Sequence, residues 1–490
     1  MKKMRSIIIM FLVLCMIVSV AGCKKEPAES SKPDNTISSN KNNDDSNPSD
    51  DASSDDVTSS ENSTTLDNTT SEDTVSSGST SSDVENNKPV STGKWQQNKF
   101  YLSTIWPYAY TGDTAEKRIK SVSLCKEAGL NLVEIPIMPE EDVLNYCDET
   151  GIDVIAGTSF RGVGTGNDVI WNENSVKNEI YELYHHKSII GYAVWDEVGK
   201  DKLEKANQLT NLVNKYDPAR LAFSCLFPSY GVYNWNAGVT GGNWQDSTYY
   251  KYVEDYIKIV DPQVLSFDYY PFILDNSLNI NIRDWYRDMG LYRKFSLQYN
   301  KPFWYYIGTV DGEENDNVTD SQVRSQLNIS LAYGAKTISY FCTPSYLYDK
   351  NTFEKTERFD RATELNKQAM AMGNFLFDKT GTEIYHYGLK NQAHYDEIYF
   401  LNDIANSDLI EEVVASDGMI ISMFKDAEGN DYMMVVTKNL KSKSAIEIKL
   451  RGNKSVALLD NTTGKLSTAY TTDLIEHKFI PGEAAIFAIK

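Results

Sequence analysis

A chain of 490 residues, 41% of them hydrophobic, can bury one large core and a smaller one once non-globular stretches are set aside. Its formal net charge of -21 and the lack of any basic cluster exclude a nucleic-acid surface. With 5 histidines, no GxSxG elbow, no Ser-His-Asp spacing and no Gly-rich phosphate loop after the first predicted strand, neither a metal site nor a cofactor is expected.

Residues 1–23 combine a basic start (Lys2, Lys3, Arg5), an apolar run from Ile7 to Val20 and the sequence Val20-Ala21-Gly22-Cys23. This resembles a bacterial lipoprotein signal, with Cys23 as the lipidated residue, and the run is short for a membrane span. The expected location is the extracellular face of the bacterial membrane, held there by the lipid alone. Residues 24–94 follow as a Ser/Asp/Asn-rich linker, with no aromatic residue before Lys94. Such a composition cannot offset its chain entropy, so it reads as a disordered tether with a reach of roughly 45 to 50 Å. Much of the negative charge lies here, and so says little about the folded surface.

From residue 95 to about 378, apolar strand-like runs alternate with amphipathic helical ones. Eight strands are predicted: Phe100–Ile105, Leu130–Ile137, Asp153–Thr158, Ile189–Trp195, Leu221–Leu226, Val264–Phe267, Pro302–Ile307 and Thr337–Phe341. That order and size fit a (β/α)8 TIM barrel rather than an open doubly wound sheet. Past Asp378 the runs shorten and alternate between turn signals, which predicts a small antiparallel β-sandwich over 379–490.

In such barrels the chemistry sits at the C-terminal strand tips. Here those tips carry Trp106 after the first strand and Phe160-Arg161 after the third. The fourth ends in Trp195-Asp196-Glu197, the sixth in Asp268-Tyr269-Tyr270, and the seventh carries Trp304, Tyr305 and Tyr306. A long segment from Phe227 to Tyr250 adds Tyr230, Tyr233, Trp235 and Trp244. Rings pack on the C–H faces of sugars and carboxylates bind their hydroxyls, so a carbohydrate is the expected ligand. Glu197 is the candidate general acid and Asp268 the candidate second carboxylate. Trp106, Trp195, Asp196, Tyr269, Tyr270, Trp304 and Tyr306 are the candidate substrate contacts. The competing reading of Asp196-Glu197 is an acidic cap on the next helix. Cys125, Cys147, Cys225 and Cys342 lie within helical or strand patterns and read as buried thiols rather than a disulfide framework.

The run Val260–Phe272, VDPQVLSFDYYPF, and the run from Ser321, SQVRSQLNISLAYGAKTISYF, resemble the sixth strand and the last helix and strand of glycoside hydrolase family 42 and its barrel clan. The resemblance covers the second half of the barrel well and the first half by layout. It implies a glycosidase with Glu197 as acid/base, Asp196 standing where the clan has Asn. The clan's nucleophilic Glu on the seventh strand has no counterpart, because KPFWYYIGT offers Ile307 and Gly308 there. Asp268, a loop acid among Asp311, Glu313 and Glu314, or binding without cleavage remain open. The Asp-Glu pair also resembles substrate-assisted hexosaminidases, over two residues. A non-catalytic carbohydrate-binding lipoprotein is the alternative function. A two-lobed solute-binding lipoprotein would not give eight successive βα units.

Overall fold

The structure is a computed structural model that describes residues 93–108, 113–165, 170–234, 248–272, 282–309, 318–388 and 400–490. Cys23, the predicted tether, Trp235, Trp244, Asp311, Glu313 and Glu314 lie outside the described residues.

The first sheet is parallel. Its strands are β1 (Tyr101–Ile105), β2 (Leu132–Ile135), β3 (Asp153–Ala156), β4 (Gly162–Val163), β5 (Ile189–Asp196), β6 (Leu221–Ser224), β7 (Leu265–Asp268), β8 (Phe303–Gly308) and β9 (Thr337–Phe341). Hydrogen-bonded pairs run β6-β5-β3-β2-β1-β9-β8-β7. A parallel bridge between Leu226 and Phe267, with the Leu226 N–H donating to Ser266 O at 2.9 Å, brings the two ends together. Eight strands therefore curl into a ring. The two-residue β4 is an addition that the sequence did not signal, and it pairs with the tip of β5 at Trp195 and Asp196.

Helices α1 (Ala115–Glu127), α2 (Glu141–Thr150), α3 (Glu173–Leu183), α4 (Leu203–Tyr216), α5 (Ser229–Asn234), α6 (Thr248–Val260), α7 (Ile282–Tyr299), α8 (Asp320–Ala332) and α9 (Phe359–Leu376) connect the strands. Local chemistry fixes several of their starts. Asn172 and Ser175 cap α3 reciprocally, and Thr319 and Gln322 do the same for α8, each pair satisfying two otherwise orphaned N–H groups. Odd and even strand positions separate the cores. Tyr101, Leu132, Ile155, Phe223, Trp304 and Tyr306 fill the ring, while Val133, Val154, Tyr305 and Ile307 pack outward under the helices.

The C-terminal strands are β10 (Thr380–Tyr387), β11 (Ile410–Ala415), β12 (Met419–Lys425), β13 (Asp431–Thr437), β14 (Ser444–Asp460), β15 (Lys465–Leu466), β16 (Tyr470–Phe479) and β17 (Ala484–Ile489). They form a separate antiparallel sheet, consistent with a sandwich. One of them runs through a local turn signal. Arg451-Gly452-Asn453 reads as a turn between two strands, yet β14 runs through it, with a register shift between Lys449 and Lys454 and Gly452 at φ 82°. A long strand that bends at a bulge can serve both halves of a folded sheet, which a turn signal cannot reveal. Strands β12, β13 and β17 are buried on both faces: Met433, Val435 and Phe487 face the core of this sheet, and Met434, Val436 and Ile486 join the outer core of the ring.

The two sheets meet through α8. Arg324 Nη1 donates to Pro481 O at 2.7 Å and Asn328 Nδ2 to Gly482 O at 2.9 Å. Gly482 has φ 73°, and a Cβ there would lie 2.4 Å from Ser321 O, a backbone atom that cannot yield. Gly482→Ala is therefore expected to destabilise the protein by about 1–3 kcal/mol, the range for overpacking and left-handed strain. Denaturant unfolding of the variant against the parent checks this, and an unchanged midpoint would refute it.

Candidate active site

Strand β5 is apolar up to Val194 and then delivers three functional side chains in succession. The ladder with β6 slips between Ala193 and Trp195, and Glu197 follows at φ 52°, in the left-handed region that non-glycine residues seldom adopt. Trp106 after β1 (φ 58°) and Cys342 after β9 (φ 61°) share this strain. Three tips of one mouth are thus held in costly backbone conformations, which is where strain accompanies function.

Each of the three β5 side chains has a distinct environment. The Trp195 ring lies so close to Gly162 that a Cβ there would sit 2.3 Å from it, and its Nε1 donates to Gly164 O at 3.1 Å. Asp196 pairs with Arg161, Nη2 to Oδ2 at 2.6 Å, and Arg161 also donates to Pro136 O at 3.3 Å. Glu197 is half-buried. Burial, then the charges of Asp268 and Asp196, push its pKa well above the usual carboxylate range, against the opposing pull of Arg161.

Asp268, at the tip of β7, is 8% exposed. Burial and the charge of Asp196 raise its pKa to about 7, while a hydrogen bond with Tyr270 works the other way. Among the described residues its Oδ1 is buried with no hydrogen-bond partner. A buried carboxylate oxygen left without a donor calls for one from water or a ligand. Between the two acids stands the tip of β6, where the Cys225 N–H donates to Trp195 O at 3.0 Å. Asp268, Asp196 and Glu197 all raise the Cys225 thiol pKa, after burial, so this residue sits among the three carboxylates.

The mouth narrows to a small pocket lined by Ile105, Glu134, Arg161, Trp195, Asp196, Tyr306 and others. Glu134 is the member that sequence reasoning missed. Its signal was a lone glutamate in the apolar run of β2, pointing inward. Tyr306 donates to its Oε2, and Ser339 and Ser103 donate to Oε1 at 3.1 and 3.4 Å. Burial lifts its pKa to about 7 despite the Tyr306 and Ser339 hydrogen bonds, with Asp196 adding to the rise.

The predicted contacts divide by which way their strands turn them. Tyr306 and Trp195 line the pocket, and Tyr270 stacks on Phe341 at 5.1 Å between ring centroids. Half-buried Trp106 packs against the interior core, its backbone N–H donating to Glu134 O at 3.2 Å. Two candidates fall elsewhere. Trp304, one inward step before Tyr306, packs against Trp95, Tyr101 and Phe223 and donates to Gln97 Oε1 at 2.9 Å, at the opposite end of the ring. Tyr269 is fully buried, belongs to the outer core, and meets Tyr230 edge-on at 4.9 Å. Strand parity decides Tyr269, since neighbours on a strand face opposite sides, and depth along β8 decides Trp304, which shares the inward face with Tyr306.

At the seventh strand of the ring, β8, the inward tip is Gly308. Gln326 clamps it, accepting from Gly308 N at 3.0 Å and donating to Gly308 O at 2.9 Å. A Cβ at Gly308 would press on Tyr270 at 3.0 Å. The tyrosine ring therefore occupies the space in which a carboxylate side chain from this position would stand. Cys125, Cys147 and Cys225 are buried free thiols, and Cys342 is a free thiol at intermediate depth.

Carboxyls whose pKa is raised by burial make stability pH-dependent in a defined sense. Glu134 is the cleanest to test. Its folded pKa of about 7 exceeds the unfolded value of 4.5, so the folded state holds more protons between these pH values and stability falls as pH rises through that window. His386, whose pKa burial lowers, opposes this in the parent, so the difference between variant and parent is the useful quantity. Glu134→Gln is expected to gain up to about 3 kcal/mol on the parent between pH 5 and pH 8. A difference that stays flat with pH would refute it.

No protein-family model and no curated protein matches the chain. Solved structures resemble it at low similarity. They include a glucosidase from Croceicoccus marinus (9% identity, TM-score 0.39, covering 80% of this chain and 95% of that one). A β-glucuronidase from Parabacteroides merdae shares 11% identity at a TM-score of 0.37, covering 80% of this chain and 60% of that one. A family 2 β-galacturonidase from Eisenbergiella tayi shares 15% identity at a TM-score of 0.40, over 55% of this chain and 51% of that one. The chain thus spans little more than half of the latter two. These neighbours are glycoside hydrolases by description, and at this level of likeness they bear on neither substrate nor mechanism.

Proposed function

We propose that the chain is a glycoside hydrolase built as a (β/α)8 barrel with a β-sandwich behind it, in which Glu197 is the general acid and Asp268 the base. The observation that carries this reading is the pairing of two carboxyls at the tips of β5 and β7, each with its pKa raised by burial, with Asp268 also raising that of Glu197. Protonation of a glycosidic oxygen needs an acid that keeps its proton near neutral pH, and activation of water needs a carboxylate oxygen not already engaged. Glu197 meets the first requirement and Asp268 Oδ1 the second. Arg161 holds Asp196 beside them, and Trp106, Trp195, Tyr270 and Tyr306 supply ring faces or hydroxyls for a sugar.

On composition, residues 1–23 are proposed as a lipoprotein signal ending at Cys23, 24–94 as a spacer, 95–378 as the catalytic unit and 379–490 as its companion. This places the enzyme outside the cytoplasmic membrane, acting on an oligo- or polysaccharide. The occupation of the Gly308 position by the Tyr270 ring favours a second reading, a carbohydrate-binding protein that has lost the clan's nucleophile. Incubating the chain with a panel of aryl glycosides and polysaccharides separates the two. Release of reducing sugar supports the enzyme, and saturable glycan binding without release supports the binding protein.

A further inference from the structure

Away from the mouth, one side-chain cluster has the donor set of a metal site. The sequence Tyr184-His185-His186 leads from the end of α3 toward β5. The His186 ring is 2% exposed, and its Nδ1 lies 2.8 Å from Asp148 Oδ2 on α2. The other oxygen of Asp148 accepts from Ser188 N at 2.7 Å, which fixes the carboxylate. An ionised carboxylate only accepts, so Nδ1 carries a hydrogen, and Nε2, 3.2 Å from Glu141 Oε2, is the nitrogen that holds either a second proton or an ion. His185 Nε2 lies 3.9 Å from Glu141 Oε1. Ligand atoms of Glu141, His185 and His186 all fall within 4.8 Å of one another. Tetrahedral ligands about 2.0–2.1 Å from a zinc ion stand roughly 3.4 Å apart, so little movement would bring them to coordination distance.

The turn is also rigidly supported. Arg220 Nη2 donates to Tyr184 O at 2.6 Å and to His186 O at 2.8 Å, and its Nε donates to Ile189 O at 2.7 Å. One buried histidine with its second nitrogen bonded to a carboxylate is the arrangement that orients an imidazole toward a metal. We propose that Glu141, His185 and His186 bind a divalent transition-metal ion of the zinc class, with Asp148 as the outer carboxylate that orients His186. Glu141 and His185 are 65% and 55% exposed in their side chains, so one coordination position is left to water. The ion would fasten α2 to the turn that enters β5, the strand ending in Glu197. The site stands apart from the glycosidase reading. The competing account is a plain ion-pair cluster, with His186 between Asp148 and Glu141 and His185 beside Glu141.

The test uses the full chain, free of any polyhistidine tag and stripped with chelator, titrated with zinc chloride by calorimetry. One ion per chain with a micromolar or tighter Kd is expected. Saturating zinc should raise Tm by a few degrees, and magnesium should not. His185→Ala and Glu141→Gln alter exposed side chains and leave the fold intact; each is expected to weaken zinc at least tenfold and to remove most of the thermal shift. Absence of saturable binding, or an affinity in both variants equal to the parent's, would overturn the proposal in favour of the ion pair.

Discussion

Glu197→Gln is expected to lower turnover of glycosides with poor leaving groups by about 10²–10⁴-fold, the usual contribution of a positioned acid, while sugar binding persists. Gln keeps the shape of the side chain and cannot give up a proton. The fold should tolerate it, because burial and the charges of Asp268 and Asp196 already disfavour the ionised form of Glu197. At alkaline pH the variant should be at least as stable as the parent, since it no longer has a buried carboxyl to ionise. Leaving-group dependence is the sharper readout. An aryl glycoside whose phenol departs without protonation should lose far less activity than an alkyl one. The alkaline limb of the pH profile, which reports loss of the acid's proton, should vanish on that activated substrate. Equal losses on both substrates would remove Glu197 from the role of acid, and full activity would remove it from the site.

Asp268→Asn is expected to cost a comparable 10²–10⁴-fold, and hydrolysis by the parent to invert the anomeric centre. Two carboxyls about 6.5–9.5 Å apart leave room for a water, whereas direct attack needs about 5–5.5 Å. Strand β6 lies between β5 and β7, with Cys225 bonded to Trp195 on one side and Leu226 to Ser266 on the other. A full strand of separation suits the water. The base also needs a free lone pair, and Asp268 Oδ1 has one. Glu134, by contrast, takes donors from Tyr306, Ser339 and Ser103, which suits positioning rather than proton transfer. The parent should show a bell-shaped profile whose two limbs belong to the Glu197–Asp268 pair jointly, with the acid limb above the ordinary aspartate range. Early product is read by NMR. A retained anomer, or unimpaired turnover in Asp268→Asn, would dismiss Asp268 and turn attention to Asp311, Glu313 and Glu314.

The sequence by itself determined the order of elements and singled out Glu197 as the candidate acid. Burial on both faces makes parallel strands read as unbroken apolar runs, so the eight strands stand out at nearly their observed bounds, and the switch from Val194 to Trp195-Asp196-Glu197 marks a tip. Three things needed the tertiary structure. Parity placed Tyr270 and Tyr306 inside the ring and Tyr269 outside it, and depth along β8 sent Trp304 to the far end; composition says only that all four are aromatic. Glu134 became part of the site because Tyr306 and Ser339, which are 172 and 205 residues away along the chain, converge on its carboxylate. His185 and His186, unremarkable at a helix end, acquired Glu141 and Asp148 only when α2 packed beside their turn. Periodicity records which way a residue is buried relative to its own element; which residues then meet is fixed by ring closure and helix packing, and those act between segments that sequence spacing does not connect.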